Sequence, residues 1–287
     1  MKKIIIVVLL VALAGIAGIV RSRTRTAGAI RNWSQVVNGD KSSGGEARDE
    51  IRKSYELSPD ARVEVAGING GVKIETSDTR TAEVYVERFG TSQEVLSRRK
   101  VTIDATAGSL TVRAENADTG FFTRIFGSKP SERVTLRLPR AISLVAKGIN
   151  GALIAGEIDG PVEVKGVNGR IDIAQASGSA TFKGINGNIA VALKQIDKGG
   201  VDIGGINGNI ELRLTDGVNA NLEAHGMNGS VVSDLPNVSV DQSRHGHYSA
   251  KIGAGGNPIT ASGINGNIRL TRMVTASTTS DQAKGQS

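Results

Sequence analysis

The stretch ATFKGINGNIAVALKQIDKGGVDIGGINGNI, residues 180–210, decides the fold of this chain. It contains a motif of glycine, an aliphatic residue, asparagine and glycine twice, and five further copies occur elsewhere in the chain. From the second copy onward the copies are 18, 18, 21, 21 and 37 residues apart. Such a period is the signature of a repeat architecture. The copies start at Gly67, Gly148, Gly166, Gly184, Gly205, Gly226 and Gly263.

The residues before each motif alternate in the manner of a β-strand. The positions four and two residues before the first glycine are apolar in all seven copies, and the position between them is mostly polar. In the copy at Gly166 these residues are Val162, Val164 and Glu163. A period of two with one apolar side predicts a strand that packs one face on a core. Each unit is therefore predicted to be strand, turn and strand.

Two all-β architectures are compatible with this unit. Asn-Gly between alternating runs is typical of a type I′ hairpin with positive φ at both residues, and successive hairpins would form an antiparallel meander. In a β-solenoid, each unit of 18–21 residues is instead one coil stacked on the next. The aliphatic motif residue favours the solenoid, because a hairpin would expose it whereas a solenoid corner can turn it inward. The corner asparagines are then expected to form a hydrogen-bonded ladder of Asn69, Asn150, Asn168, Asn186, Asn207, Asn228 and Asn265.

The N-terminus predicts export. Lys2 and Lys3 precede an uncharged apolar run, which is typical of a signal peptide that is either cleaved or retained as an inner-membrane anchor over residues 4–20. The segment that follows is rich in small and charged residues and predicts a flexible tether.

The last step between motif copies is 37 residues, about two units, and predicts a degenerate copy near Gly246. The predicted segments are 1–20, signal or anchor; 21–53, tether; 54–140, a strand-rich first part; 141–274, the solenoid; and 275–287, a disordered tail.

Composition excludes much chemistry. The chain of 287 residues has no cysteine, so disulfides, thiol nucleophiles, zinc–thiolate sites and an acylated lipoprotein cysteine are absent. The formal charge of +7 is concentrated in residues 1–53, which contain ten basic and four acidic residues. The rest of the chain is almost neutral and only 3% of all residues are aromatic, which argues against a nucleic-acid partner.

Two surface features are candidates for binding. Lys147, Lys165 and Lys183 each precede the motif glycine in three successive copies. Stacked coils would place their ammonium groups about 4.8 Å apart in a row suited to a polyanionic polymer or lipid headgroups, or simply form a solvated face screened by Glu163. Phe121, Phe122 and Phe126 cluster in one segment that would touch a partner or membrane, or cap an open end of the core.

Candidates for catalysis and metal binding are few. His245 and His247 have a metal-like spacing, but no neighbouring carboxylate or cysteine completes a ligand set, so we expect neither a metal nor a cofactor. Some β-helix enzymes act on polysaccharides through clustered carboxylates, for which Asp172 and Asp202 are the residues to test. No phosphate-binding or dinucleotide motif occurs.

The motif copies, the stretch RVTLRLP at residues 133–139 and the closing stretch IGAGGNPITASGINGNI at residues 252–268 resemble the bacterial envelope family named putative adhesins. That family is in turn similar to the "head GIN" domains of autotransporter-like adhesins. The resemblance covers residues 54–274 and implies a β-solenoid-like fold, export and no catalytic activity. Because the motif positions have structural roles, it transfers no functional residue.

The sequence therefore predicts an exported, non-catalytic β-solenoid that serves as an adhesin-like interaction or structural module of the bacterial envelope. Its partner would be an envelope or extracellular polymer or protein, and its location the periplasm or the cell surface. The alternatives are a periplasmic scaffold or sensor and, from another class, a polysaccharide-active β-helix enzyme.

Overall fold

The structure, a computed structural model, describes residues 47–116, 129–236 and 238–273. Within these ranges it has twenty-one strands and one short helix, α1 (Gln93–Ser97). The strands are β1 (Ala47–Glu56), β2 (Ala61–Ala66), β3 (Val72–Ser77), β4 (Thr81–Gly90), β5 (Arg99–Thr106), β6 (Ser109–Asn116), β7 (Ser131–Pro139), β8 (Ile142–Ile149), β9 (Leu153–Ile158), β10 (Val162–Asn168), β11 (Ile171–Ser177), β12 (Ala180–Asn186), β13 (Ile189–Gln195), β14 (Val201–Asn207), β15 (Ile210–Leu214), β16 (Ala220–His225), β17 (Val231–Ser233), β18 (Val240–Arg244), β19 (His247–Ile252), β20 (Asn257–Asn265) and β21 (Ile268–Arg272).

The strands form two sheets on either side of one apolar core. Each coil contributes one strand to each sheet, and eight coils stack with parallel pairing to their neighbours. The all-β solenoid is confirmed, and the parallel pairing excludes the meander. Sheet A has the order β1-β4-β7-β3-β9-β11-β13-β15-β21-β17, and sheet B has the order β5-β6-β2-β8-β10-β12-β14-β20-β16-β19-β18.

Register between coils follows the apolar columns of the sequence. Val164 pairs with Ala146 on one side and with Phe182 on the other, and all three are fully buried. The aliphatic motif residue also points inward, so that Val167 is only 1% exposed. Apolar residues at equivalent positions of successive coils thus stack on one another through the core. Each apolar side chain is removed from water by the coils on both sides.

The motif turn differs from the hairpin turn considered above. Its first glycine has left-handed φ, as at Gly166 with +64°. Its second glycine lies against the backbone of the preceding coil, since a Cβ on Gly187 (φ +154°) would lie 2.2 Å from the carbonyl oxygen of Gly169. Among the described residues Asp60 is the single non-glycine residue with positive φ, so the expectation of positive φ at the asparagines is wrong. The glycines bear the unusual backbone angles, and the asparagines are free for another role.

The order of the coils in space departs from their order in the sequence. After β14 and β15 the chain skips one layer, forms β16 and β17, and returns to fill the skipped layer with β20 and β21. The intervening residues form the antiparallel hairpin of β18 and β19 rather than a degenerate coil. Gly246, at its turn, covers the motif of the last layer by accepting a hydrogen bond from the backbone N–H of Met227 at 3.2 Å. The long step in the repeat is therefore an end cap, because an uncapped edge would expose unpaired backbone groups.

The first motif copy belongs to the same stack as the others. The coil of β2 and β3 lies between that of β8 and β9 and that of β6 and β7, so no break in the stack occurs at the predicted boundary between residues 140 and 141. The antiparallel strands β1, β4 and β5 close this end of the solenoid.

Part of the predicted tether is folded. Residues 47–53 belong to β1, which pairs over ten residues with β4. The sequence of β1 does not distinguish it from a tether, because it is rich in charge and few of its side chains, among them Ile51 and Tyr55, pack against the core. A charged edge strand of this kind protects the end of a sheet from further pairing.

Candidate functional surfaces

The seven motif asparagines form one continuous ladder along a corner of the solenoid. Each Nδ2 donates to Oδ1 of the asparagine in the preceding layer, at distances between 2.9 Å and 3.1 Å. In space the order is Asn69, Asn150, Asn168, Asn186, Asn207, Asn265 and Asn228. All six hydrogen bonds between the side-chain amides point in the same direction. The series ends at Asn69, whose Nδ2 donates to the carbonyl oxygen of Pro130 at 2.8 Å. The motif asparagines therefore tie the layers together.

A second, shorter ladder escaped the sequence analysis. Oδ1 of Asn188 accepts the backbone N–H of Asn209 at 2.9 Å, and Oδ1 of Asn209 accepts that of Asn267 at 3.0 Å. Asn267 in turn accepts the backbone N–H of Ser230 at 2.9 Å. The signal was present, since three copies extend the motif to Gly-Ile-Asn-Gly-Asn. This ladder reinforces the half of the solenoid that contains the coil of β20 and β21, which fills the skipped layer.

A buried ion pair lies at the Asn69 end of the ladder of motif asparagines. Glu132 is 2% exposed, and its carboxylate accepts the backbone N–H of Asn69 at 2.9 Å and Nε of Arg99 at 2.5 Å. In the regular layers the corresponding N–H donates to a carbonyl of the preceding coil, as Asn150 does to Ile68. Burial raises the pKa of Glu132, although Arg99 and the N–H of Asn69 act in the opposite direction. The carboxylate of Glu132 thus takes the place of the backbone carbonyl that accepts this N–H in the regular layers.

The lysine row lies on the outer face of sheet B. Lys165 pairs in register with both Lys147 and Lys183. Each ammonium has a carboxylate partner: Glu163 lies 3.6 Å from Lys147 and 3.0 Å from Lys165, and Asp202 lies 2.5 Å from Lys183. The hydrogen bond from Lys165, aided by the charge of Lys147, lowers the pKa of Glu163. The row consequently presents three cations and two anions, with lysine side chains between 40% and 47% exposed.

The remaining candidates are not brought together. Asp172 lies on sheet A beside Arg170 and Arg213, whereas Asp202 lies on sheet B, so these two carboxylates do not face one substrate. The phenylalanine cluster Phe121, Phe122 and Phe126 lies outside the described residues.

The histidines gather near the hairpin cap. The rings of His225 and His247 meet edge to face at 5.3 Å, and His247 contacts Arg244 at 2.9 Å. Within the ranges that the structure describes, no group of three or more histidine and acidic residues is placed to hold a metal ion. A cationic guanidinium against an imidazole nitrogen is also unfavourable for a metal at that atom.

A cavity of about 460 Å³ indents the outer face of sheet A near β1. It was not predicted from the sequence, because residues 52 and 53 fall in the predicted tether and the other lining residues come from four separate strands, β1, β3, β4 and β7. Its lining comprises Arg52, Lys53, Ser54, Glu75, Glu83, Val84, Tyr85, Thr135 and Arg137.

The fold and its corner ladders define a short β-solenoid, capped at both ends by antiparallel strands. A model of the family described as Toastrack DUF4097 matches residues 157–271, a region that includes five copies of the motif. No curated protein matches the chain in sequence. The single described helix has five residues, and no helix in the described ranges has the length and hydropathy of a membrane span.

Several solved structures are similar to the chain. A "putative cell adhesion protein" from Clostridium sporogenes is 12% identical with a TM-score of 0.37, and the match covers 79% of this chain and 100% of that one. A "putative adhesin" from Parabacteroides merdae is 12% identical with a TM-score of 0.30, covering 80% and 98%. A "putative lipid binding protein" from Parabacteroides distasonis is 15% identical with a TM-score of 0.28, covering 80% and 99%.

Proposed function

We propose that this chain is an exported, non-catalytic interaction module of the bacterial envelope, adhesin-like in the sense that a rigid solenoid presents broad faces to an extended partner. The observation that carries the proposal is the asparagine ladder. In all seven motif copies the asparagine forms hydrogen bonds between neighbouring layers. The repeat therefore builds a scaffold, and the outer faces of the two sheets remain available for contact with a partner.

Export is supported by the N-terminal sequence. Lys2 and Lys3 followed by the uncharged run up to Val20 are the features of a signal or anchor, and the charge excess lies within residues 1–53. With β1 starting at Ala47, residues 21–46 are left to connect such a segment to the solenoid.

Protease accessibility tests where the solenoid lies. A C-terminal tag is exposed to protease on intact cells and on cells with a permeabilised outer envelope, with a periplasmic and a cytoplasmic protein as controls. Cleavage on intact cells supports an adhesin at the surface. Protection until permeabilisation supports the periplasmic scaffold or sensor instead, and protection in both conditions contradicts export.

The lysine row is the candidate surface for an anionic polymer, and its ion pairs supply a two-sided test. Replacing Lys147, Lys165 and Lys183 together by alanine should abolish salt-sensitive binding to a polyanion such as polygalacturonate. Glu163→Gln removes the carboxylate between two of these lysines and should strengthen that binding. If neither variant changes the affinity, the row is a solvated face without a ligand.

The alternative of a polysaccharide-active enzyme has less support than the non-catalytic module. Asp172 and Asp202 lie on different sheets, each beside at least one basic side chain. Paired carboxylates that cleave a glycosidic bond must flank it from within one site. Turnover of a glycan that is lost in Asp172→Asn or Asp202→Asn would overturn the non-catalytic proposal.

A further inference from the structure

The cavity on the outer face of sheet A is built by four neighbouring strands. Arg52 on β1 lies opposite Tyr85 on β4, Tyr85 lies opposite Thr135 on β7, and Thr135 lies opposite Lys73 on β3. Its volume of about 460 Å³ lies within the range of about 300–1,000 Å³ of small-molecule sites. The site is thus fixed by backbone pairing on a rigid sheet rather than by a loop.

Arg137 is held in place from two sides. Its Nε donates to Glu75 at 3.1 Å, and its Nη1 donates to Glu83 at 3.1 Å. The side chain is nevertheless 65% exposed, so its other N–H groups reach solvent beside the carboxylates of Glu75 and Glu83. Each carboxylate oxygen can accept more than one hydrogen bond, so both can still accept from a ligand, although Lys73 also contacts Glu75 at 2.5 Å. Acceptor, donor and acceptor therefore stand next to one another on one wall.

Arg52 and Tyr85 form another part of the lining. The guanidinium carbon lies 4.5 Å from the centroid of the tyrosine ring. A stacked guanidinium keeps its donors in its own plane, where they remain available to a ligand. Glu50 pairs with Arg52 at 3.2 Å and also with Arg48 at 2.8 Å. Glu75 and Glu83 pair with Arg137, and Glu75 pairs with Lys73 as well, at 2.5 Å.

We propose that this cavity binds a neutral oligosaccharide, as the free molecule or as a segment of a longer glycan. A vicinal diol both donates and accepts at each hydroxyl, which matches a wall where carboxylate acceptors flank guanidinium donors. The lining has three basic residues, Arg52, Lys53 and Arg137, and two acidic ones, Glu75 and Glu83, while Lys73 and Glu50 beside it carry opposite charges. Basic residues thus exceed acidic ones by only one, and the cavity has no strong field to select a polyanion. The proposal rests on the proposed function, because it names the ligand class of an interaction module. It concerns a different sheet from the lysine row.

The test is calorimetric titration of the full chain with neutral oligosaccharides of glucose, galactose or mannose, alongside polygalacturonate. Arg137→Gln should weaken binding of the neutral ligand by about tenfold or more, because it removes charge-assisted donors. Thr135→Val, which keeps the side-chain shape, tests a second position of the wall and should also weaken binding.

Arg269→Gln is the matched control, since Arg269 is a similarly exposed arginine on the same sheet that pairs with Asp234 at 2.6 Å. It should bind like the parent, and both arginine variants should melt at similar temperatures. Absence of binding to every neutral oligosaccharide, or equal affinity of Arg137→Gln and Arg269→Gln, overturns the proposal. Salt-sensitive polygalacturonate binding that Arg137→Gln abolishes overturns the neutral class. Tag accessibility needs no ligand, so failure of this site leaves the test of export unaffected.

Discussion

The side-chain amide of Asn265 donates to Oδ1 of Asn207 at 3.0 Å, although 58 residues separate them in the chain. Asn228 lies between them in sequence but one layer further along the stack. The last coil is therefore inserted between two coils that the chain forms earlier, and it supplies each of them with a sheet partner on one side. The stack is complete only when the C-terminal strands are in place.

Truncation after Gly256 should consequently destroy more than one layer. It removes β20 and β21 and leaves β14 and β16 with unpaired edges on either side of an empty layer. We expect loss of cooperative melting and aggregation in size-exclusion chromatography. Truncation after Met273 is the control, because every described strand is retained. A cooperative melt of the shorter chain near that of the control would contradict the dependence on this coil.

Removing one ladder asparagine should cost more in the middle than at the end. Asn186 donates to Asn168 and accepts from Asn207, whereas Asn228 makes a single ladder bond, to Asn265. At about 0.5–1.5 kcal/mol for each hydrogen bond, Asn186→Ala should lower the free energy of unfolding about twice as much as Asn228→Ala. Urea denaturation of the two variants measures the difference, and equal losses would show that the ladder is not a sum of its bonds.

The second glycine of the motif should tolerate no side chain. A Cβ on Gly187 would approach the carbonyl oxygen of Gly169 to 2.2 Å, and the φ of +154° disfavours any other residue. We expect Gly187→Ala to cost at least about 2 kcal/mol. Gly108→Ala is the control, because a Cβ at Gly108 meets nothing within 4 Å, and it should change stability by less than about 0.5 kcal/mol. Similar melting temperatures for the two variants would mean that neighbouring coils can separate at the motif.

The buried pair of Glu132 and Arg99 should behave as a unit. Glu132→Gln leaves the guanidinium of Arg99, about 9% exposed as a residue, without its counter-charge and should cost about 3–5 kcal/mol. Replacing both residues by methionine should recover most of that loss, since neither charge then remains buried. A double-mutant cycle in urea measures the coupling, and additive losses would contradict it.

The same pair should make stability depend on pH. Because burial raises the pKa of Glu132, the folded protein holds this proton at pH values where the unfolded chain has lost it. The stabilising contribution is thus fully present below the unfolded pKa of about 4.3 and is lost as pH rises through the folded value. Stability of the parent relative to the double methionine variant should fall over that interval. A rise in relative stability, or no change, would show that the effect of Arg99 on the pKa of Glu132 outweighs that of desolvation.

The repeat was sufficient to predict most of the solenoid. Its apolar columns identify residues such as Val164 and Phe182 as core, and the aliphatic motif residue distinguishes a stacked corner from a hairpin. These features are local and recur in each unit, so they are visible without knowing which coils touch. The ladder of motif asparagines follows from the same logic, because identical positions in stacked coils must lie in one column.

The parts that escaped prediction lack such a signal. β1 has an edge-strand composition that resembles a linker, and its place is decided by antiparallel pairing with β4, from Glu56 opposite Thr81 to Ala47 opposite Gly90. The cavity draws Arg52, Glu75 and Arg137 from strands far apart in sequence, so no spacing reveals it. The partners of the lysine row were only partly visible, since Asp202 comes from the following coil.

By itself the sequence determined the strand period, the inward side of each strand, the glycine turn and the absence of cysteine chemistry, because these depend on residue type and local spacing. Only the tertiary structure decided the order of the layers. Each coil presents nearly the same backbone edge and apolar columns, so the repeat cannot say which coil stacks on which. That choice depends on the end caps and on the length of chain between copies, and it places Asn265 between Asn207 and Asn228.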